Sequence, residues 1–136
     1  SWPVLKNFYL ETEVTTSANC EGLDHYGLIA RVKDFDNVYL FGFTCDGRYS
    51  IKVWQDGYTT LKDWTSSPHI NAGPSQTNFL GVKLQGNKLT IYANGEELAT
   101  VTNAALSEGK FGIYIGAKTD GFEAIFELIR YWKLAD

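Results

Sequence analysis

Short strand signals separated by two-residue turn signals run through this chain, and they restrict it to an antiparallel all-β fold. Asp46-Gly47, Gly86-Asn87 and Asn94-Gly95 each stand between runs of alternating apolar and polar residues. Such dipeptides supply the positive φ angles that tight hairpins require, and alternation with period two marks a strand with one buried face. The run FYLETEVT places Phe8, Leu10, Thr12 and Val14 on one face and Tyr9, Glu11 and Glu13 on the other. Further strands are expected over 26–32, 38–44, 48–54, 59–64, 78–84, 88–93, 97–102, 110–117 and 123–132. One helical turn fits within 103–108. The stretch 65–77, broken by Ser66-Ser67-Pro68 and Gly73-Pro74-Ser75, reads as a binding loop or as a crossover between sheets. About nine or ten hairpin-linked strands in so short a chain suit two antiparallel sheets packed face to face, a jelly-roll β-sandwich. A last strand pairing near the first would tie the ends of the chain together.

At 136 residues the chain is read as a single domain, 1–136, large enough to bury a core without a metal. It starts at Ser1-Trp2-Pro3 and runs into a strand, as an excised domain of a larger protein or a mature secreted segment would. Aromatic residues make up 15%, and Tyr, Phe and Trp fill the space between packed sheets. The net charge of −4 argues against nucleic acid, whose phosphates call for a basic footprint. No run of about 18 apolar residues is present to insert into a membrane. The two cysteines, Cys20 and Cys45, belong to no CxxC or Cys/His cluster, which disfavours zinc. Both fall at strand ends. They are read either as two free buried thiols or as a disulfide, which would close a loop of about 25 residues and contribute roughly 3.5 kcal/mol. A bridge implies an oxidising, extracellular or cell-surface compartment.

The segments YGLIARV (from Tyr26), DNVYLFGF (from Asp36), DGRYS (from Asp46), LTIYANGEEL (from Leu89) and GKFGIY (from Gly109) resemble the concanavalin A-like lectin/glucanase superfamily. The likeness is nearest to its laminin-G-like and 3-keto-disaccharide hydrolase-like branch of bacterial extracytoplasmic domains, and it covers the chain from about Phe8 to Trp132. It implies a sandwich fold and pairs Cys20 with Cys45. Members include sugar-binding lectins, glycosidases and protein-interaction modules, so the fold alone does not choose among them.

Three chemistries are weighed against that background. The Glu-x-Asp-x-x-Glu pattern of the superfamily's glucanases is absent, and Glu11/Glu13 and Glu123/Glu127 are the nearest carboxylate pairs, each also readable as the solvent face of a strand. His25 and His69 are placed in loops with no nucleophile partner. Asp34, Asp36 and Asn37 offer oxygen ligands for calcium, which is common among the resembled proteins, but the same residues are good turn formers. Carbohydrate or cell-surface glycan binding needs an aromatic platform and planar polar groups. Arg31, Tyr39, Lys52, Trp54 and Tyr114 are the candidates on the outer strand faces, with Trp64, His69 and Asn71 as a rim. Trp54, sharing a face with Lys52, is read as a ligand platform or as edge packing. Arg31 is read as an ion pair with Glu127 or Glu13, or as a ligand contact beside Glu127. The expectation is a non-catalytic carbohydrate-recognition module, with a glycoside hydrolase or a protein-binding or spacer module as alternatives.

Overall fold

The computed structural model describes residues 3–136. Ser1 and Trp2, where the expected run into the first strand begins, lie outside the described residues. Ten strands follow in order: β1 (Phe8–Thr16), β2 (His25–Asp34), β3 (Asn37–Thr44), β4 (Arg48–Gln55), β5 (Tyr58–Ser66), β6 (Thr77–Gln85), β7 (Lys88–Ala93), β8 (Glu96–Thr102), β9 (Lys110–Gly116) and β10 (Ala124–Lys133). They form two antiparallel sheets of five, ordered β10-β1-β6-β7-β8 and β5-β4-β3-β2-β9. Residues 103–108 contain no helical turn. They bend at Ala105, whose amide donates to Asn103 Oδ1, and are held at the sandwich end where the Asn103 side chain and the Leu106 amide bond to the Tyr39 hydroxyl. Among the described residues no helix is long and apolar enough to cross a membrane.

The local chemistry explains the elements. β1 alternates buried and half-buried positions without a break, so Phe8, Leu10, Thr12 and Val14 face the opposite sheet as their spacing requires. The turns depend on positive φ at Gly47 (87°) and at the pair Asn94 (52°) and Gly95 (84°). β10 pairs with β1, joining the two ends of the chain. The segment 67–76 carries the chain from one sheet to the other, which makes it the crossover of the two readings. It is tied down by Gly73 N–H to the Cys45 carbonyl (2.8 Å) and by Thr16 Oγ1 to the Gly73 carbonyl (2.9 Å). Cys20 and Cys45 form a disulfide, with Cα atoms 5.4 Å apart and both residues buried.

The core lies between the sheets, built from Phe8, Leu10, Leu28, Phe41, Phe43, Ile51, Val82, Leu84 and Ile91 among others. Tyr39 belongs to it, fully buried, and not to an outer face. The phase of β3 decides this: Tyr39, Phe41 and Phe43 alternate on the inside, leaving Leu40 and Gly42 outside. The Tyr39 hydroxyl donates to Asn103 Oδ1 at 2.7 Å and accepts the Leu106 amide at 3.2 Å.

Arg31 is the second departure. Simple alternation from His25, Gly27 and Ile29 would put it on the outer face, but the register of β2 slips after Ile29 and Ala30, and Arg31 takes φ +48°. Such a bulge re-aims the side chain. The guanidinium turns into the sandwich end, 1% exposed, and donates to the carbonyls of Lys6 (2.7 and 3.1 Å), Gly86 (2.8 Å) and Leu106 (3.0 Å). It pairs with neither Glu127 nor Glu13. Burial pushes its pKa down, yet main-chain oxygens replace the lost water and keep the charge satisfied. Arg31 is a structural clamp on three loops.

Candidate functional site

The outer face of sheet β5-β4-β3-β2-β9 has a floor of glycine. Gly27 of β2 pairs with Gly42 of β3 on one side and with Tyr114 of β9 on the other, and Gly42 pairs with Ser50 of β4. Opposed residues in an antiparallel pair point to the same face, so one row across the sheet reads Tyr114, Gly27, Gly42, Ser50. The missing side chains leave a trough, and aromatic rings from the margins lie down in it. A Cβ on Gly42 would collide with Tyr114 Oη and come within 2.9 Å of Trp64 Cη2. A Cβ on Gly27 would come within 3.0 Å of Tyr114 Cε1. The His25 ring rests in the same way on Gly116, where any Cβ would meet it.

These rings brace one another. The His25 ring centroid stands 5.8 Å from both Trp64 and Tyr114, and His25 Nδ1 bonds to the Leu23 carbonyl at 2.9 Å. A carbonyl can only accept, so Nδ1 carries the proton in that bond. Lys52 of β4 holds its ammonium 4.9 Å from the Trp64 ring centroid and 5.5 Å from that of Tyr58, cation–π distances for both. Burial raises the Tyr114 hydroxyl above its ordinary pKa, with Tyr58 adding to the effect, so it stays a neutral hydrogen-bonding group at working pH. Leu40, Ser50, Leu23 and Lys118 complete the lining of a cleft of about 300 Å³. Lys118 is brought to the rim by Asp24, whose buried carboxylate accepts the Lys118 amide (2.7 Å), the Thr119 amide (2.8 Å) and the Thr119 hydroxyl. Burial alone would raise the Asp24 pKa, but these donors and the Glu21 amide outweigh it and hold it at about 2.

A smaller hollow of about 210 Å³ adjoins the cleft and shares Leu40 and Tyr58 with it. Trp54 lies there, half-buried, its ring 4.6 Å from that of Tyr58 in edge-on contact, with the fully exposed Phe35 of the β2–β3 turn beside it. Of the residues singled out in the sequence, the fold therefore gathers Lys52, Trp64 and Tyr114 in one cleft and sets Trp54 next to it. Arg31 and Tyr39 are elsewhere, buried for the reasons given above. Glu127 is on the other sheet, opposite Glu13 in the β1–β10 ladder. His69 and Asn71 do not line the cleft; the His69 carbonyl and the Asn71 side chain hold the crossover to Asn94 and Thr77. His25 is a strand residue, the first of β2, and not a loop residue. Sequence reasoning missed Leu40, Ser50, Tyr58 and Lys118, and weighed His25 only as a loop residue without a nucleophile partner, not as part of the aromatic platform. Glycines inside the expected strands (Gly27, Gly42, Gly112, Gly116) were the available signal, since strand glycines mark close approach by another group.

The remaining candidates resolve differently. Asp34 Oδ1 accepts the Asp36 amide (2.8 Å) and Asn37 Nδ2 (2.9 Å), so Asp34, Asp36 and Asn37 form a side-chain-capped turn, and these donors lower the Asp34 pKa. Among the described residues no group of three or more His, Cys, Asp or Glu side chains is placed to hold a metal ion. Glu11 pairs with Arg130 at 2.9 Å on the outer face of the other sheet, beside Tyr9, which lies over Gly81. Two larger hollows at the sandwich end, about 530 and 580 Å³, contain no aromatic ring.

No protein family and no curated protein matches the sequence. Solved structures do match in shape. A carbohydrate-binding module, CBM66 of Bacillus subtilis, superposes with TM-score 0.76 at 20% identity over 95% of this chain and 76% of its own. Sheep galectin-11, in complex with glycerol, gives TM-score 0.65 at 9% identity over 97% of this chain and 98% of its own. A GH43 protein of Bacillus licheniformis, BlXynB, gives TM-score 0.67 at 14% identity over 95% of this chain but 28% of its own. At these identities the likeness is one of fold: the chain shares the two-sheet jelly-roll β-sandwich of these structures.

Proposed function

We propose that this domain is a non-catalytic carbohydrate-recognition module and that the glycine-floored cleft is its ligand site. The observation that carries the reading is the seating of Trp64, Tyr114 and His25 against Gly42, Gly27 and Gly116, ringed by Ser50, Lys52 and Lys118. Sugars present an apolar C–H face and a rim of hydroxyls. Pre-seated aromatic rings meet the first without further loss of side-chain entropy, and the polar groups meet the second. The lining holds no carboxylate, whereas acid–base glycoside hydrolysis calls for two. Similarity to a carbohydrate-binding module and a galectin agrees with this reading. The Cys20–Cys45 bridge supports placement in a secreted or cell-surface protein, here taken as bacterial.

Titration of tryptophan fluorescence against a glycan panel tests the proposal, because Trp64 lies in the cleft. A saturable shift is expected for at least one glycan, lost in Trp64→Ala and retained in a variant altered on the opposite sheet, Tyr92→Phe. A flat response to every glycan by the folded protein would end the carbohydrate reading and favour the protein-interaction alternative.

A further inference from the structure

The charge of the cleft is opposite to that of the chain. Acidic residues outnumber basic ones by 16 to 12, yet no Asp or Glu lines this cleft, while Lys52 and Lys118 do. Among the described residues neither lysine ammonium pairs with a carboxylate; the two ion pairs are Arg48–Asp46 and Arg130–Glu11. The Asp24 carboxylate, next in sequence to the rim, is buried under Lys118 and Thr119 and saturated by their amides. Lys52 is not merely solvated. Its ammonium is held over Trp64 and Tyr58, so the cost of ordering a long side chain is already met before any ligand arrives.

We propose that the cleft selects saccharides bearing an anionic group, a uronate carboxylate or a sulfate ester, which Lys52 and Lys118 receive while the sugar ring packs on Trp64. The inference rests on the carbohydrate reading of the same cleft. A fixed ammonium beside low-dielectric aromatic walls attracts an anion more strongly than water does, and charge-assisted hydrogen bonds to it are about twice as strong as neutral ones. Ser50 and the His25 ring then serve the neutral hydroxyls; His25 Nε2, with no partner among the described residues, can accept one.

The test compares matched probes: oligogalacturonides with their fully methyl-esterified counterparts, and sulfated with desulfated chondroitin oligosaccharides, alongside uncharged glycans. Affinity is read by fluorescence and calorimetry. Every glycan that binds in the Trp64-dependent manner is expected to bind at least about tenfold more tightly in its anionic form. That advantage should shrink several-fold as salt rises from about 0.1 M to about 1 M, where the screening length falls from about 10 Å to about 3 Å. Lys52→Gln with Lys118→Gln should erase it, and Lys83→Gln with Lys88→Gln, an equal loss of charge on the other sheet, should not. The carboxylate and sulfate arms identify which anion is taken. Trp64-dependent binding with no anionic preference, or a preference that survives the double lysine variant, overturns the inference and leaves the carbohydrate reading intact. No binding of any glycan overturns both.

Discussion

Replacing Arg31 by leucine separates structure from recognition, because the guanidinium is a clamp at the sandwich end and not a ligand contact. Four donor contacts reach three main-chain carbonyls, those of Lys6, Gly86 and Leu106, at 2.7 to 3.1 Å. Hydrogen bonds from a charged donor contribute roughly 1.5–3 kcal/mol each, and the desolvation of the guanidinium offsets part of the sum. Leucine occupies similar volume but leaves the Leu106 carbonyl buried without its donor. The φ of +48° is equally unfavourable for leucine and arginine, so backbone strain cancels in the comparison. A loss of about 4 kcal/mol is expected. For a 136-residue domain the unfolding entropy is roughly 0.3 kcal/mol per degree, so the midpoint should fall by about 14 °C. Urea denaturation followed by circular dichroism measures the first quantity and a thermal scan the second. Glycan affinity, measured well below the transition, should be unchanged, and Arg31→Lys should fall between, keeping the charge without the fork. A loss below about 1 kcal/mol, or lost affinity at unchanged stability, would refute the clamp and return Arg31 to the ligand face.

Other consequences follow from the same geometry. Gly42→Val should displace Tyr114 and Trp64 from the trough and lower affinity for any bound glycan at least about tenfold, since shape complementarity is lost at the floor; titration of the folded variant checks it. The Cys20→Ser, Cys45→Ser double variant should lose roughly 3.5 kcal/mol in chemical denaturation, because the bridge closes a loop of 25 residues. For Asp24, whose folded pKa of about 2 lies below its unfolded value near 3.9, the stabilisation is complete above the unfolded value and is lost as pH falls toward the folded one. Stability between about pH 4 and pH 2 should therefore drop more steeply in the native protein than in Asp24→Asn, as acid titration of the denaturation midpoint will show.

Two sources of information meet in this protein, and they divide along the range of the interactions. Strand positions and hairpins were legible in the sequence because they depend on neighbours. Alternation with period two selects a buried face, and Asp-Gly or Asn-Gly pairs select the turn whatever lies across the sheet. The pairing of Cys20 with Cys45 was one of two readings, and the resemblance favoured it; the fold brings the β1–β2 loop that carries Cys20 against the end of β3. The site was legible in part. Lys52 kept the outer face that alternation along β4 gives it, and Tyr114 did so on β9, while Trp64 reaches the same face from β5, whose register against β4 shifts on either side of Lys62. Arg31 did not, since the bulge in β2 turns its side chain from the open face to the sandwich end. Tyr39 looked like a polar aromatic on a surface until Phe41 and Phe43 set the inward phase of its strand. His25, Ser50, Tyr58 and Lys118 become neighbours only when β2, β4, β5 and the segment after β9 are laid side by side. No local pattern records that, because a cross-sheet row is made of residues far apart in the chain. The sequence alone thus determined an antiparallel sandwich of nine or ten strands and its turns. Which side chains share the glycine-floored cleft was decided by strand order and register, which are properties of the tertiary structure.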